Sequence, residues 1–175
     1  MKMTAIGSGG AGLLFLLLLT GDAAWADADP CKVTIEGNDE MKFNLHEISV
    51  SGQCTDVEVT LRHSGQLAAT VMGHDWVLAK ESDMSGLVNA GLAAGAARGY
   101  LPEKDARIIA ATRQVGGGES AAVRFSTSAL TPGARYAFFC TSPGHSTIMR
   151  GKFLFGSVTR VAQASKSSDR PTGSQ

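Results

Sequence analysis

From Lys32 to Phe155 the chain breaks into short runs of alternating or β-branched residues, with turn residues between them about every ten positions. That rhythm restricts the fold to a sandwich or barrel of strands. Lys32-Val33-Thr34-Ile35-Glu36 alternates before the turn residues Gly37-Asn38-Asp39. Met41 to Leu45 alternates again, followed by Ile48-Ser49-Val50 and a break at Ser51-Gly52. Val57-Glu58-Val59-Thr60-Leu61 puts three apolar residues on one face, and His63-Ser64-Gly65 reads as a loop. Asp75 to Ala79 is a strand of the fully buried kind, and further runs cover 107–111, 121–125, 135–140 and 151–155. Ser82 to Arg98 departs from the pattern. Met84, Leu87, Val88 and Leu92 recur at helical spacing, and Ser82 or Asp83 can cap the start. The expectation is an all-β domain with one short helical insertion.

The two ends differ from this middle. Residues 1–26 carry Lys2, an apolar run around Leu13–Leu19 and a small-x-small ending at Ala24-Trp25-Ala26, the layout of a cleaved export signal. The run is too short to span a bilayer, and no Cys follows it directly as a lipoprotein signal requires. Residues 159–175 are Ser-rich, with Gly and Pro, and are poor in large apolar side chains. The reading there is a disordered tail. Residues 27–158 remain as one domain large enough to bury a core.

Sixteen basic and sixteen acidic residues balance to zero. This gives no basic surface for nucleic acid and no block of charge for a membrane. The three cysteines are an odd number in a chain expected to reach an oxidising compartment. Two can pair there, and the third needs a reason to stay free. Cys31 and Cys54 lie near each other in sequence, whereas Cys140 stands alone beside a His and a Met.

Cys140-Thr141-Ser142-Pro143-Gly144-His145-Ser146-Thr147-Ile148-Met149 therefore carries the chemistry. It places a thiolate, an imidazole and a thioether within ten residues, around a Pro-Gly turn that reverses the chain. Soft sulfur with imidazole selects copper over magnesium or calcium. One thiolate, two imidazoles and a weak thioether make a blue-copper centre. The second imidazole must come from elsewhere. His74, in Val71-Met72-Gly73-His74-Asp75-Trp76, precedes a buried strand, and Gly73 lets backbone approach a metal. His63 reads as a packed residue or a buried titrating group near the metal, and His46 as a solvated one. Zinc is the main rival, but structural zinc sites favour more thiolates and rarely take Met. A Cys–His nucleophile pair would need an orienting third group, and none is evident.

At these residues the chain resembles the azurins, the bacterial branch of the cupredoxin or type 1 blue-copper family. The matching stretches are 37–41, 71–78, Tyr100-Leu101, Gly118-Glu119, 138–141, 143–146 and Met149. The Cys-x4-His-x3-Met loop has the azurin spacing, and the likeness runs from Cys31 to about Phe155. The resemblance implies an eight-stranded Greek-key β-sandwich. It implies one copper ion held by His74, Cys140 and His145, with Met149 as a weak axial ligand and the Gly73 carbonyl on the opposite side. It also implies a Cys31–Cys54 disulfide, a buried Trp76 and His63 near the copper. Two positions depart from the pattern. Asp75 replaces an Asn that links the ligand loops. Ser142 replaces a Phe that shields the metal. The Ser142 side chain either admits water and lowers the potential, or donates to the Cys140 sulfur and raises it.

The expected function is one-electron transfer in the periplasm by a monomer that is not an enzyme. Its partners would be small redox proteins such as c-type cytochromes or a periplasmic reductase, with no nucleic acid and no membrane insertion of the mature protein. The alternative is a carrier that delivers copper rather than electrons.

Overall fold

The computed structural model describes residues 29–156. The expected export signal at 1–26 and tail at 159–175 lie outside the described residues. Eight strands form: β1 (Lys32–Gly37), β2 (Glu47–Val50), β3 (Asp56–His63), β4 (Val77–Lys80), β5 (Ile108–Ala111), β6 (Ser120–Ser126), β7 (Tyr136–Phe139) and β8 (Arg150–Phe155). They make a three-stranded sheet ordered β1-β3-β6 and a five-stranded sheet ordered β2-β8-β7-β4-β5. β1 pairs parallel to β3, and β2 parallel to β8. Neither pair can be a hairpin, so the chain crosses between sheets as the expected sandwich requires.

The run from Met41 to Leu45 does not become a strand. Met41 adopts a left-handed backbone with φ 56°, which interrupts extension. What survives is a single bridge from Phe43 to Gly37, with the Phe43 ring buried in the core. β3, by contrast, runs further than its sequence signal. Its inward positions continue from Val57, Val59 and Leu61 to His63, so His63 ends a strand on the core face instead of lying in a loop.

Trp76 is the centre of the core. Its ring sits 6.2 to 6.4 Å from those of Phe125, Phe138 and Phe153, and its indole N–H has no partner among the described residues. β4 and β7 are buried on both faces, which explains the unbroken apolar reading of 76–79. Their second face is covered by the helical insertion, where Leu87 packs with Val77, Ala79, Ala137 and Phe139. That insertion is divided. A 3-10 turn at Glu81–Asp83 leads into a helix at Met84–Ala94, and a second 3-10 turn follows at Ala96–Arg98. The Asp83 side chain makes no capping bond. Gly91 is needed inside the helix because a Cβ there would lie 2.3 Å from the Tyr100 carbonyl oxygen. A further helical turn, α1 (Ala69–Met72), comes before β4, so the Met84–Ala94 helix is α2.

Cys31 and Cys54 are joined, with Cα atoms 5.7 Å apart. The bond fastens the start of β1 to the turn between β2 and β3, and Cys140 stays free and buried. Thiol titration of the unfolded, metal-free protein should find one thiol before reduction and three after it. Removing the bond should cost about 3 kcal/mol on the chain-entropy account of a loop this size, measured by denaturant unfolding.

Candidate metal centre

The paired ends of β4 and β7 determine what meets at the site. Val77 is opposite Phe139 in an antiparallel ladder, so the chain before Val77 runs beside the chain after Phe139. His74 and Asp75 therefore lie against Cys140 and Thr141. His74 is fixed further by two backbone hydrogen bonds exchanged with Val115, of 3.0 and 2.8 Å. Beyond Cys140 the loop folds back through Gly144, whose φ of 80° needs glycine. The loop closes with Met149 N–H donating to the His145 carbonyl (2.8 Å) and Cys140 N–H donating to the Met149 carbonyl (3.0 Å).

This folding gathers three donor atoms, the Cys140 sulfur and a ring nitrogen each of His74 and His145, all within 4.8 Å of one another. The two Nδ1 atoms are 3.2 Å apart, and His145 Nδ1 is 3.6 Å from the sulfur. Donors sharing one first-row ion, each about 2.0–2.3 Å from it, stand about 3.4–3.8 Å apart. The three side chains are thus positioned to hold one metal ion, and a thiolate with two imidazoles suits copper. Met149 is fully buried. A Cβ built on Gly37 would lie 2.8 Å from the His74 ring and 3.3 Å from the Met149 methyl, so both side chains border the space beside Gly37.

The surroundings prepare these groups. His74 Nε2 lies 2.8 Å from the Asn38 carbonyl and donates to it, so Nδ1 keeps a bare lone pair turned inward. Burial holds His74 down at about 4 and also lowers His145, so both imidazoles are neutral at pH 7. Burial pushes the Cys140 thiol well above its ordinary range, and the neighbouring Asp75 adds to the rise. The backbone N–H groups of Asp75 and Ser142 act the other way by hydrogen bonding to the sulfur.

His63 stacks on His74, with ring centroids 4.6 Å apart and planes 9° from parallel. Its Nε2–H donates to the Met72 carbonyl (2.8 Å), and its Nδ1 accepts from Gly65 N–H (3.1 Å). With both nitrogens engaged by backbone, His63 buttresses the site without joining the donor group. His46 is exposed and also outside that group. The support from the Asn38 carbonyl and from Val115 was not visible in the sequence, where residues 37–39 signal only a turn.

At the two divergent positions the contacts are specific. Asp75 is fully buried, and its carboxylate accepts Thr141 N–H (2.7 Å) and the Thr141 hydroxyl. It links the loops by accepting alone. The Ser142 hydroxyl donates to the Gly73 carbonyl at 2.6 Å.

Comparison with known proteins places the chain among copper-binding proteins. A family model described as copper binding proteins, plastocyanin/azurin family, matches residues 29–155. Azurin-1 of Alcaligenes xylosoxydans xylosoxydans is 50% identical over 121 residues, which is 69% of this chain and 94% of that protein. Azurin of Achromobacter denitrificans is 48% identical over 124 residues, 71% of this chain and 83% of its own. Azurin of Pseudomonas aeruginosa is 47% identical over 124 residues, 71% and 84% of the two chains.

The buried carboxylate leads to a pH prediction. Desolvation pushes Asp75 up to about 6 from 3.8, so the metal-free fold favours its protonated form. That stabilising contribution is complete below pH 4 and is lost as pH rises through about 6. Asp75→Asn removes the ionisation and keeps an oxygen for Thr141 N–H. Unfolding of the two metal-free proteins from pH 4 to 8 should show the variant gaining on the parent by on the order of 3 kcal/mol.

Proposed function

Because this chain belongs to the plastocyanin/azurin family of copper-binding proteins, we propose that it is a blue-copper electron carrier of the periplasm, exchanging single electrons with small redox proteins. The observation that carries this reading is the buried group of one thiol and two neutral imidazoles at metal-sharing distances, with a thioether beside it. His74, Cys140 and His145 would hold the ion, with Met149 and the Gly73 carbonyl as weaker donors. Copper, when bound there, supplies a one-electron couple between Cu(I) and Cu(II).

The residues contribute rigidity and exclusion of water. His74 is clamped by Asn38, Val115 and the His63 stack, and Cys140 and His145 by their closed loop. Ligands that cannot move present much the same geometry to both oxidation states, which keeps reorganisation small. His74, Cys140 and Met149 are fully buried, and only 7% of His145 meets solvent, so its ring edge is the route for an electron. The exposed apolar residues Val71 and Ile148 each adjoin a ligand loop, next to Met72 and Met149. They suit a short-lived contact with another redox protein, for which c-type cytochromes or a periplasmic reductase are the proposed classes.

Ligands this buried favour an electron carrier over a protein that delivers copper, since delivery requires the donors to be reached and exchanged. No described helix is long and apolar enough to cross a membrane. The periplasmic assignment rests on the export-signal pattern in residues 1–26.

Optical and EPR spectra of the copper-loaded protein test the proposal. An intense visible thiolate-to-copper band with reversible one-electron cycling is expected, and Cys140→Ser should abolish the band. Full colour in that variant would refute the ligand assignment. Met149→Leu should keep a coloured site and raise its potential, because a weak axial donor stabilises Cu(II) more than Cu(I). An unchanged potential by voltammetry would make Met149 a packing residue only.

A further inference from the structure

Two residues that hold no metal themselves, Gln114 and Ser142, form a chain of hydrogen bonds that ends on the Gly73 carbonyl. Gln114 Nε2–H donates to the Ser142 hydroxyl oxygen at 2.9 Å, and that hydroxyl donates to the Gly73 carbonyl at 2.6 Å. Ser142 is 3% exposed, so water does not compete effectively for its proton. Gln114 is held firmly as well. It immediately precedes Val115, whose backbone exchanges two hydrogen bonds with His74. Its side chain lies between two glycines. A Cβ on Gly73 would come within 2.7 Å of Gln114 Nε2, and one on Gly99 within 3.2 Å of Gln114 Cβ. The carboxamide can approach only because position 73 carries no side chain.

We propose that Gln114 and Ser142 act as a positioning relay that engages the Gly73 carbonyl and so biases the centre toward copper, Cu(I) above all, and away from zinc. The proposal rests on the ligand reading given above. A hydroxyl has one proton, and here the Gly73 oxygen takes it at short range, so the Cys140 sulfur does not. Donation by Gln114 polarises the hydroxyl and makes it a better donor in turn. A carbonyl oxygen with one lone pair engaged this way is a poorer donor to a metal. Oxygen ligands favour zinc and Cu(II) more than Cu(I), which prefers sulfur. Weakening this one oxygen therefore handicaps zinc most visibly and lifts the copper potential. A phenylalanine at position 142 could do neither, since it has no proton to give the carbonyl.

Two readouts on the folded protein test the relay. One is Zn(II) affinity of the metal-free protein, and the other is the midpoint potential of the copper-loaded protein. Ser142→Ala frees the carbonyl and should raise Zn(II) affinity about ten-fold, the lower end of typical effects of groups behind metal ligands. It should also lower the copper potential. Ser142→Thr restores the hydroxyl and should return both values toward the parent. Gln114→Met leaves the hydroxyl unpolarised and should move both in the direction of Ser142→Ala by less. As Gln114 is only partly buried, this variant carries the test should Ser142→Ala fail to fold. Zn(II) affinity unchanged or weakened in a folded variant would overturn the proposal and leave the hydroxyl as a strut between loops. The visible band separates this from the ligand reading. If the band persists while both shifts are missing, only the relay falls; if the parent has no thiolate band, the ligand set falls with it.

Discussion

The antiparallel pairing of β4 with β7 is the interaction on which the site depends. Strand pairing is a repetitive set of backbone hydrogen bonds, so once Val77 stands opposite Phe139 the positions beyond each end are also set. The segments 74–75 and 140–141 leave the ladder side by side. Asp75 then closes them together through two bonds accepted from Thr141. A register shift of one residue would turn each side chain to the opposite face. It would take His74 away from Cys140 and Trp76 out of the core in one step. The aromatic cluster around Trp76 and the donor group are thus held by the same ladder.

The electrostatic character of the site follows from its depth. A thiol and two imidazoles taken out of water are driven to their neutral forms, and the directions of all three shifts agree. Neutral imidazoles are ready donors. The thiol must lose its proton to become one, so metal uptake is coupled to proton release. Around the donors nearly every polar atom is already committed. The Asn38 carbonyl takes the outer N–H of His74, and His63 is held at both nitrogens. Ser142 is held between Gln114 and Gly73. These bonds oppose rotation of the rings and loops even without a metal, which is how backbone and side chains well away from the donors shape the centre.

Local signals in the sequence were strong where physics acts over a few residues. Alternation at 32–36, 57–61 and 121–125 is repeated in β1, β3 and β6, because a strand with one buried face must alternate. The Cys140–Met149 loop was legible because Pro143-Gly144 forces a reversal, which brings its own donors close. Met41–Leu45 alternates just as well and fails to form a strand, since a left-handed Met41 breaks the extended backbone. The extension of β3 to His63 was missed because Ser64 and Gly65 dominate the local signal, although His63 continues the buried side of Val57, Val59 and Leu61.

The sequence by itself determined the strand class and the spacing of the thiol, imidazole and thioether at Cys140, His145 and Met149, since each depends on residue type and short-range geometry. Local context marked His74 as a candidate second imidazole, and resemblance assigned it and paired Cys31 with Cys54. Neither follows from spacing, because His74 is 66 residues from Cys140. Only the tertiary structure decided what surrounds those donors. It set the tautomer of His74, the stacked His63 and the Gln114–Ser142–Gly73 bonds. Gln114 lies 28 positions from Ser142, in a segment with no motif of its own. Their meeting comes from the pairing of β5, β4 and β7 side by side in one sheet, whose ends carry Gln114, Gly73 and Ser142, a long-range outcome that no local signal encodes.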